Sequence, residues 1–296
     1  MHTVKFPDRE AIGELPNPLG LEGIEFIEYA TRAPQALGQV LERLGFRPVA
    51  RHRSREVLLY RQGGMNVVIN AHGGSEGLLP DGAPAISAVA LRVRDAAAAY
   101  QRALDRGAWG VPAQVAVMEL NIPAIHGVGA SRLYFVDRWR EFSIWDVDFV
   151  PIPTVDPRPP ALAGLHWFGL VQYIGRERMA DWCEFYRELF GFALLPDDQR
   201  FGILPRGRIL QSPCNSFYLQ LIEPDSVDDE AGAADECLQR VGLGTPDVPA
   251  AVAQLRARGV DFVEAGAVHT EGRGALTTPQ LGGLMFELVR DGRATP

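Results

Sequence analysis

No stretch of this chain is long and apolar enough to read as a membrane helix; none approaches the ~20 residues such a span needs. The opening stretch, MHTVKFPDREAIGELPNPLG, has no apolar core of the kind that directs secretion, so a cytoplasmic protein is expected. Cysteine is scarce. Cys183, Cys214 and Cys237 are widely spaced, odd in number and form no CxxC, which argues against a disulfide framework and leaves buried, reduced thiols as the expectation. Positive charge is short as well: 29 Lys and Arg stand against 37 Asp and Glu, for a net charge of -8. That balance leaves little scope for the basic face a nucleic-acid partner would need.

What is present is an ordinary soluble composition, 47% hydrophobic and 22% charged, over 296 residues. This is enough for one large or two ordinary domains. Internal repetition divides it further. DAAAAYQRALDRGA from Asp95 and DVPAAVAQLRARGV from Asp247 each start with an N-cap Asp, carry an apolar stripe at helical spacing and stop at a Gly. Alternating strands precede them, SAVALRVR in one and LQRVGLGT in the other. GIEFIEYA and GLHWFGLVQY lead into a second pair of helices ending LERLGF at Phe46 and RELFGF at Phe192.

After the helices come strand-like runs: RPVARH, VLLYRQ and MNVVINA in the first unit; RFGILP, RILQS and SFYLQLIEP in the third; DFVEAGAVH, GALTT and LMFELVR in the fourth. The chain therefore reads as four βαβββ units, roughly 23–72, 85–149, 164–224 and 236–291. PIPTVDPRPPALAG, with five prolines, separates the second from the third. The expected fold is α+β, with two domains, 1–155 and 156–296, each made of two paired units. One such unit curls without closing, so two must pair to form a cleft, and ligands belong inside it.

This organisation resembles the vicinal-oxygen-chelate superfamily and, within it, the 4-hydroxyphenylpyruvate dioxygenase family. NPLGLEGIEFIEYA, RSREVLLYRQGGMNVVIN, ALRVRDAAAAYQRALDRGA and MELNIPAIHGVGASRLYFVDR carry the likeness in the first half, RMADWCEFYRELFGF and GGLMFELV in the second. The resemblance implies Fe(II) in the second domain, held by two histidines and a glutamate, with open positions for an α-keto acid and dioxygen. The first histidine belongs to the first strand of the third unit. The second belongs to the first strand of the fourth, and the glutamate to its last strand.

MFELV puts Glu287 at the glutamate position, and His166 stands on the strand of the first histidine, although an ungapped alignment puts Gly169 there. Gln172, six residues from His166, is expected on the same strand face and Gln220 nearby as a substrate contact. The second histidine is replaced by Arg240, whose guanidinium has no lone pair for a metal. His269 could supply the missing nitrogen, or Arg240 could pair with Glu287. Only RDGRATP follows the last strand, and the fourth unit lacks an insertion the family carries, so the cleft is expected to be more open than a dioxygenase site. In the first domain Glu25 is matched to His166, His72 closes a strand, and His52 and His126 read as surface or turn residues. That domain is expected to be a non-catalytic scaffold with its cleft plugged.

Three functions stay open. One is a dioxygenase-like metalloenzyme acting on a small aromatic or keto acid, with an altered metal site. Another is a non-oxidative lyase or isomerase in which Arg240 binds the substrate carboxylate and Glu287 moves a proton. The third is a non-catalytic small-molecule-binding protein. A small carboxylate is the expected partner in the first two, and a homo-oligomer is left open.

Overall fold

The first unit shows why these residues build these elements. β1 (Leu21–Ala30) is buried along almost its whole length, as a strand in the middle of a sheet must be. α1 (Pro34–Arg43) begins with Pro in its first turn, where no amide donor is missed. β2 (Arg47–His52), β3 (Val57–Gln62) and β4 (Met65–Asn70) then return as a meander. The structure, a computed structural model, describes residues 16–71, 83–112, 119–140, 142–196, 207–223, 236–263 and 274–292.

The second unit runs β5 (Ala85–Val93), α2 (Ala96–Asp105), β6 (Ala124–His126) and β7 (Arg132–Val136); a short α3 (Trp145–Asp148) and β8 (Phe149–Pro151) close the domain. The third runs β9 (His166–Tyr173), α4 (Met179–Phe190), β10 (Ala193–Leu194), β11 (Arg208–Gln211) and β12 (Tyr218–Ile222). The fourth runs β13 (Cys237–Thr245), α5 (Val248–Arg256), β14 (Gly274–Leu276) and β15 (Met285–Arg290). The two expected N-caps are in place: Asp95 accepts from the Ala98 amide at 2.9 Å and Asp247 from the Ala250 amide at 3.0 Å.

Two sheets result, ordered β6-β7-β5-β1-β4-β3-β2-β8 and β10-β11-β12-β9-β13-β15-β14. In every unit the first strand pairs in parallel with the last (β1 with β4, β5 with β7, β9 with β12, β13 with β15), and the two units of a sheet join through their antiparallel first strands. Two strand expectations change. In the second and fourth units the strand after the helix shrinks to single bridges, Gly110 with Ile125 and Phe262 with Thr277. In the third unit that strand is Ala193–Leu194, earlier than RFGILP, which lies outside the described residues.

The helix-covered faces of the two sheets share one apolar core. Tyr29 of the first sheet meets Phe286 of the second with ring centroids 6.4 Å apart. Arg258, just past α5, donates to the carbonyls of Arg43 and Glu42 at the end of α1, at 2.9 and 2.7 Å. This places a cation where the helix dipole is negative. The opposite faces of the sheets are left to form the clefts. All three cysteines are free thiols and half-buried rather than fully buried; burial pushes the Cys183 thiol above its ordinary pKa, away from reactivity.

Candidate functional site

The geometry of the second cleft turns on one bulge in β9. Between paired positions, β9 advances two residues, from Trp167 to Gly169, while β13 moves one, from Leu243 to Gly242. The extra residue, Phe168, turns into the cleft and packs on Tyr218 with ring centroids 5.1 Å apart. A one-residue insertion reverses the face of every later side chain. Gln172 is thereby sent to the helix-side core. It is fully buried there, and its Oε1 accepts from the Tyr186 hydroxyl at 2.6 Å. The expectation that it shares a face with His166 fails for this reason. Gln220, by contrast, does border the cleft.

Pairing places Tyr218, Gly169, Gly242, Glu287 and Leu276 in one row across five strands. Glu287 is buried and faces the cleft, as expected. Its neighbours on the two first strands are glycines. A Cβ on Gly169 would lie 2.4 Å from the Tyr218 carbonyl oxygen, so the bulge admits no side chain there. The cleft encloses about 30 Å³ among the described residues, room for a water molecule or two. The expected open site is instead filled by Phe168, Tyr218 and Val289.

Arg240 lies two residues from Gly242 on the same strand face, in the row Gln220, Val171, Arg240, Met285. It is 3% exposed, and its Nε and Nη2 are buried without a hydrogen-bond partner among the described residues. The expected ion pair with Glu287 does not form among the described residues: the strand opposite Arg240 presents Met285, while Glu287 stands opposite Gly242.

His166 serves the end of the sheet. Its Nδ1 lies 3.0 Å from the Gly164 carbonyl and its Nε2 3.3 Å from Asp291 Oδ2. The ring lies over Gly244, where a Cβ would come within 2.4 Å of Nε2. Both ring nitrogens thus face protein oxygens, two residues along the sheet from the Glu287 row. His269 lies outside the described residues. A two-histidine, one-carboxylate iron site needs its three donors on one face. The Glu287 row offers one, and no group of three His, Cys, Asp or Glu among the described residues is placed to hold a metal. The described residues do not fit the implied iron.

The first cleft is the opposite of what the sequence led one to expect. It encloses about 500 Å³. β1 carries a matching bulge, pairing Ile24 with Leu91 and Phe26 with Ala90. Superposing the bulges sets Phe26, Ala90 and Tyr134 against Gly169, Gly242 and Glu287. Glu25 then corresponds to Phe168, not His166. One row along, Glu28, Ala88 and Arg132 correspond to Val171, Arg240 and Met285. At the position where the second sheet carries Arg240, the first carries Ala88. Glu25 itself is 2% exposed and pairs with Arg92 at 2.6 Å, so it is structural. His52 and His126 border this cavity rather than lying clear of it.

Two sheets of paired βαβββ units, each leaving a cleft on the face away from its helices, define a two-domain vicinal-oxygen-chelate fold of the α+β class. Comparison with known proteins agrees. Residues 15–150 match the family described as "Hydroxyphenylpyruvate dioxygenase, HPPD, N-terminal", and residues 164–288 match "Glyoxalase/Bleomycin resistance protein/Dioxygenase superfamily". A 4-hydroxyphenylpyruvate dioxygenase of a Pseudomonas species is 44% identical over 180 residues, 60% of this chain and 50% of that protein. The enzyme of that name from Pseudomonas aeruginosa is 33% identical over 268 residues, 84% of this chain and 73% of that one. A solved xylose isomerase-like TIM barrel/4-hydroxyphenylpyruvate dioxygenase fusion protein superposes with a TM-score of 0.74 at 26% identity, covering 98% of this chain and 53% of its own. The chain belongs to the 4-hydroxyphenylpyruvate dioxygenase family, and it spans about half the length of two of these relatives. None of the described helices is long and apolar enough to cross a membrane.

Proposed function

We propose that this chain is a small-molecule-binding member of the 4-hydroxyphenylpyruvate dioxygenase family that does not carry out iron-dependent oxygenation in its second cleft. The observation that carries this reading is the row Gly169, Gly242, Glu287, where the family resemblance calls for donors on all three strands. Two of its three positions have no side chain. The volume supports the same reading: about 30 Å³ is a tenth or less of the ~300–1,000 Å³ that small-molecule pockets occupy. Protein purified without chelator is expected to hold iron well below one ion per chain, with no difference between wild type and Glu287→Ala. No oxygen uptake coupled to homogentisate formation from 4-hydroxyphenylpyruvate is expected. Stoichiometric iron that Glu287→Ala removes, or turnover at ordinary enzymatic rates of ~1 per second or more, overturns the proposal.

A second reading, non-oxidative handling of a carboxylate, is favoured by Arg240 alone. A buried guanidinium with two nitrogens unpartnered among the described residues is costly, and a bound anion would offset that cost. Without one, Arg240→Met is expected to raise stability by about 1–4 kcal/mol, the range seen when buried ion pairs are replaced by packed apolar groups. Thermal melting with and without a series of small carboxylates checks this. The second reading requires that carboxylates raise the melting temperature of wild type and leave Arg240→Met unmoved.

A further inference from the structure

The first cleft, at about 500 Å³, falls within the range of small-molecule sites, and its unmatched charge says what it takes. Glu28, Glu119 and Asp148 border it, against Arg55 and Arg132. Glu119 is committed, since Arg55 donates to both of its oxygens. Glu28 and Asp148 are held only by neutral donors. Glu28 Oε1 accepts from Asn70 at 3.2 Å and from the Ser87 hydroxyl at 2.8 Å. Asp148 accepts from the Leu120 amide, at 3.2 and 3.3 Å to its two oxygens. Neither carboxylate forms an ion pair among the described residues. Both are half-buried, and a carboxylate drawn partly out of water carries a cost that a bound cation offsets.

The two acids stand at opposite ends of one aromatic run. Glu28 lies two residues from Phe26 on the same face of β1. It is also close to Tyr134, whose phenol pKa is raised by burial and then by the Glu28 charge. Asp148 directly precedes Phe149. In between, Phe26 meets Tyr134 at 6.0 Å and Trp145 at 5.4 Å between centroids, and Trp145 meets Phe149 at 5.2 Å. All four rings border the cavity. Such a wall covers methylene groups by apolar contact and attracts cations through the ring faces.

We propose that this cleft binds a small aliphatic diamine. One ammonium meets Glu28 Oε2, the other meets Asp148, and the methylene stem lies along Phe26, Trp145 and Phe149. Each ammonium donates a charge-assisted hydrogen bond to a carboxylate that has no other cation. This names a ligand class for the small-molecule-binding role proposed above. It concerns a different cleft from the iron question, so the two are tested separately.

The test is calorimetric titration of the full chain with straight-chain terminal diamines, from butanediamine to octanediamine, alongside hexylamine and hexanediol. One diamine of the series is expected to bind at one molecule per chain, and its length reports the span between the carboxylates. Hexylamine should bind about tenfold more weakly than the best diamine, the effect of losing one charge-assisted hydrogen bond, and hexanediol more weakly still. Glu28→Gln and Asp148→Asn, which keep acceptors for Asn70, Ser87 and Leu120, should each weaken the best diamine about tenfold with circular dichroism unchanged. If either variant fails to fold, the comparison of diamine, monoamine and diol on wild type decides. No heat from any diamine at millimolar concentration overturns the assignment. So does hexanediol binding as tightly as the diamines, several diamines bound per chain, or equal affinity in wild type and Glu28→Gln. Iron content and oxygen uptake test the other cleft and are unmoved by any of these results.

Discussion

Glu25→Ala should destabilise the protein by about 3–5 kcal/mol, the cost of stripping one partner from a buried, hydrogen-bonded charge pair. The carboxylate is 2% exposed and lies 2.6 Å from Arg92 Nε. Its other oxygen accepts from Trp145 Nε1 at 2.7 Å and from Asn66 at 3.2 Å. Removing it leaves an indole N–H, an amide and a guanidinium facing an empty space. Arg92 is 24% exposed on its side chain, so water can recover part of its loss, which places the effect toward the lower end of the range. Glu25→Gln retains an acceptor for Trp145 and should cost less than the alanine. Urea unfolding of the two variants, followed by circular dichroism, measures both. A loss below about 1 kcal/mol for Glu25→Ala would mean that this network does not hold the first sheet together. Because Glu25 also fixes Trp145, one wall of the large cleft, the alanine variant should show altered tryptophan emission before it unfolds.

That network was hidden in the sequence, and the reason is geometrical. The alternation of SAVALRVR and the capped helices at Asp95 and Asp247 are local patterns, and each appears in the structure where expected. The pairing of units through their first strands follows from the same repeats. The bulges at Glu25–Phe26 and Phe168–Gly169 are not local patterns. Each exists only relative to a partner strand far along the chain, and each reverses which residues look into the cleft. Gln172 was lost from the site, and Glu25 misaligned, by that single residue of slip. The inversion of the two clefts has a similar origin. The second cleft is filled where Phe168 meets Tyr218 across β9 and β12, and that contact is visible only once the register is known. Glu287 was legible because a motif on a single strand carries it.

The same register makes restoration of an iron site by substitution a demanding test, and Gly169→His is expected to fail it. Arg240→His looked like the natural repair from sequence, since Arg240 aligns with the second histidine. In the sheet it lies beside Met285, two residues away from the Gly242 partner of Glu287, so an imidazole there approaches Glu287 from the neighbouring row. Gly169 is in the right row but has no room. Its Cβ would lie 2.4 Å from a backbone oxygen of Tyr218 and 3.4 Å from that residue's Cα, and backbone cannot rotate aside as a side chain can. β9 and β12 must separate, or the bulge must move. Overpacking of this kind costs about 1–3 kcal/mol and more where backbone must shift. Gly169→His should therefore melt earlier than wild type and bind iron no better, alone or combined with Arg240→His. Melting curves and iron content of the two single variants and the double variant decide the matter. Stoichiometric iron in the double variant with an unchanged melting temperature would mean that the bulge is soft, and that this cleft keeps the family's metal geometry within reach of two substitutions.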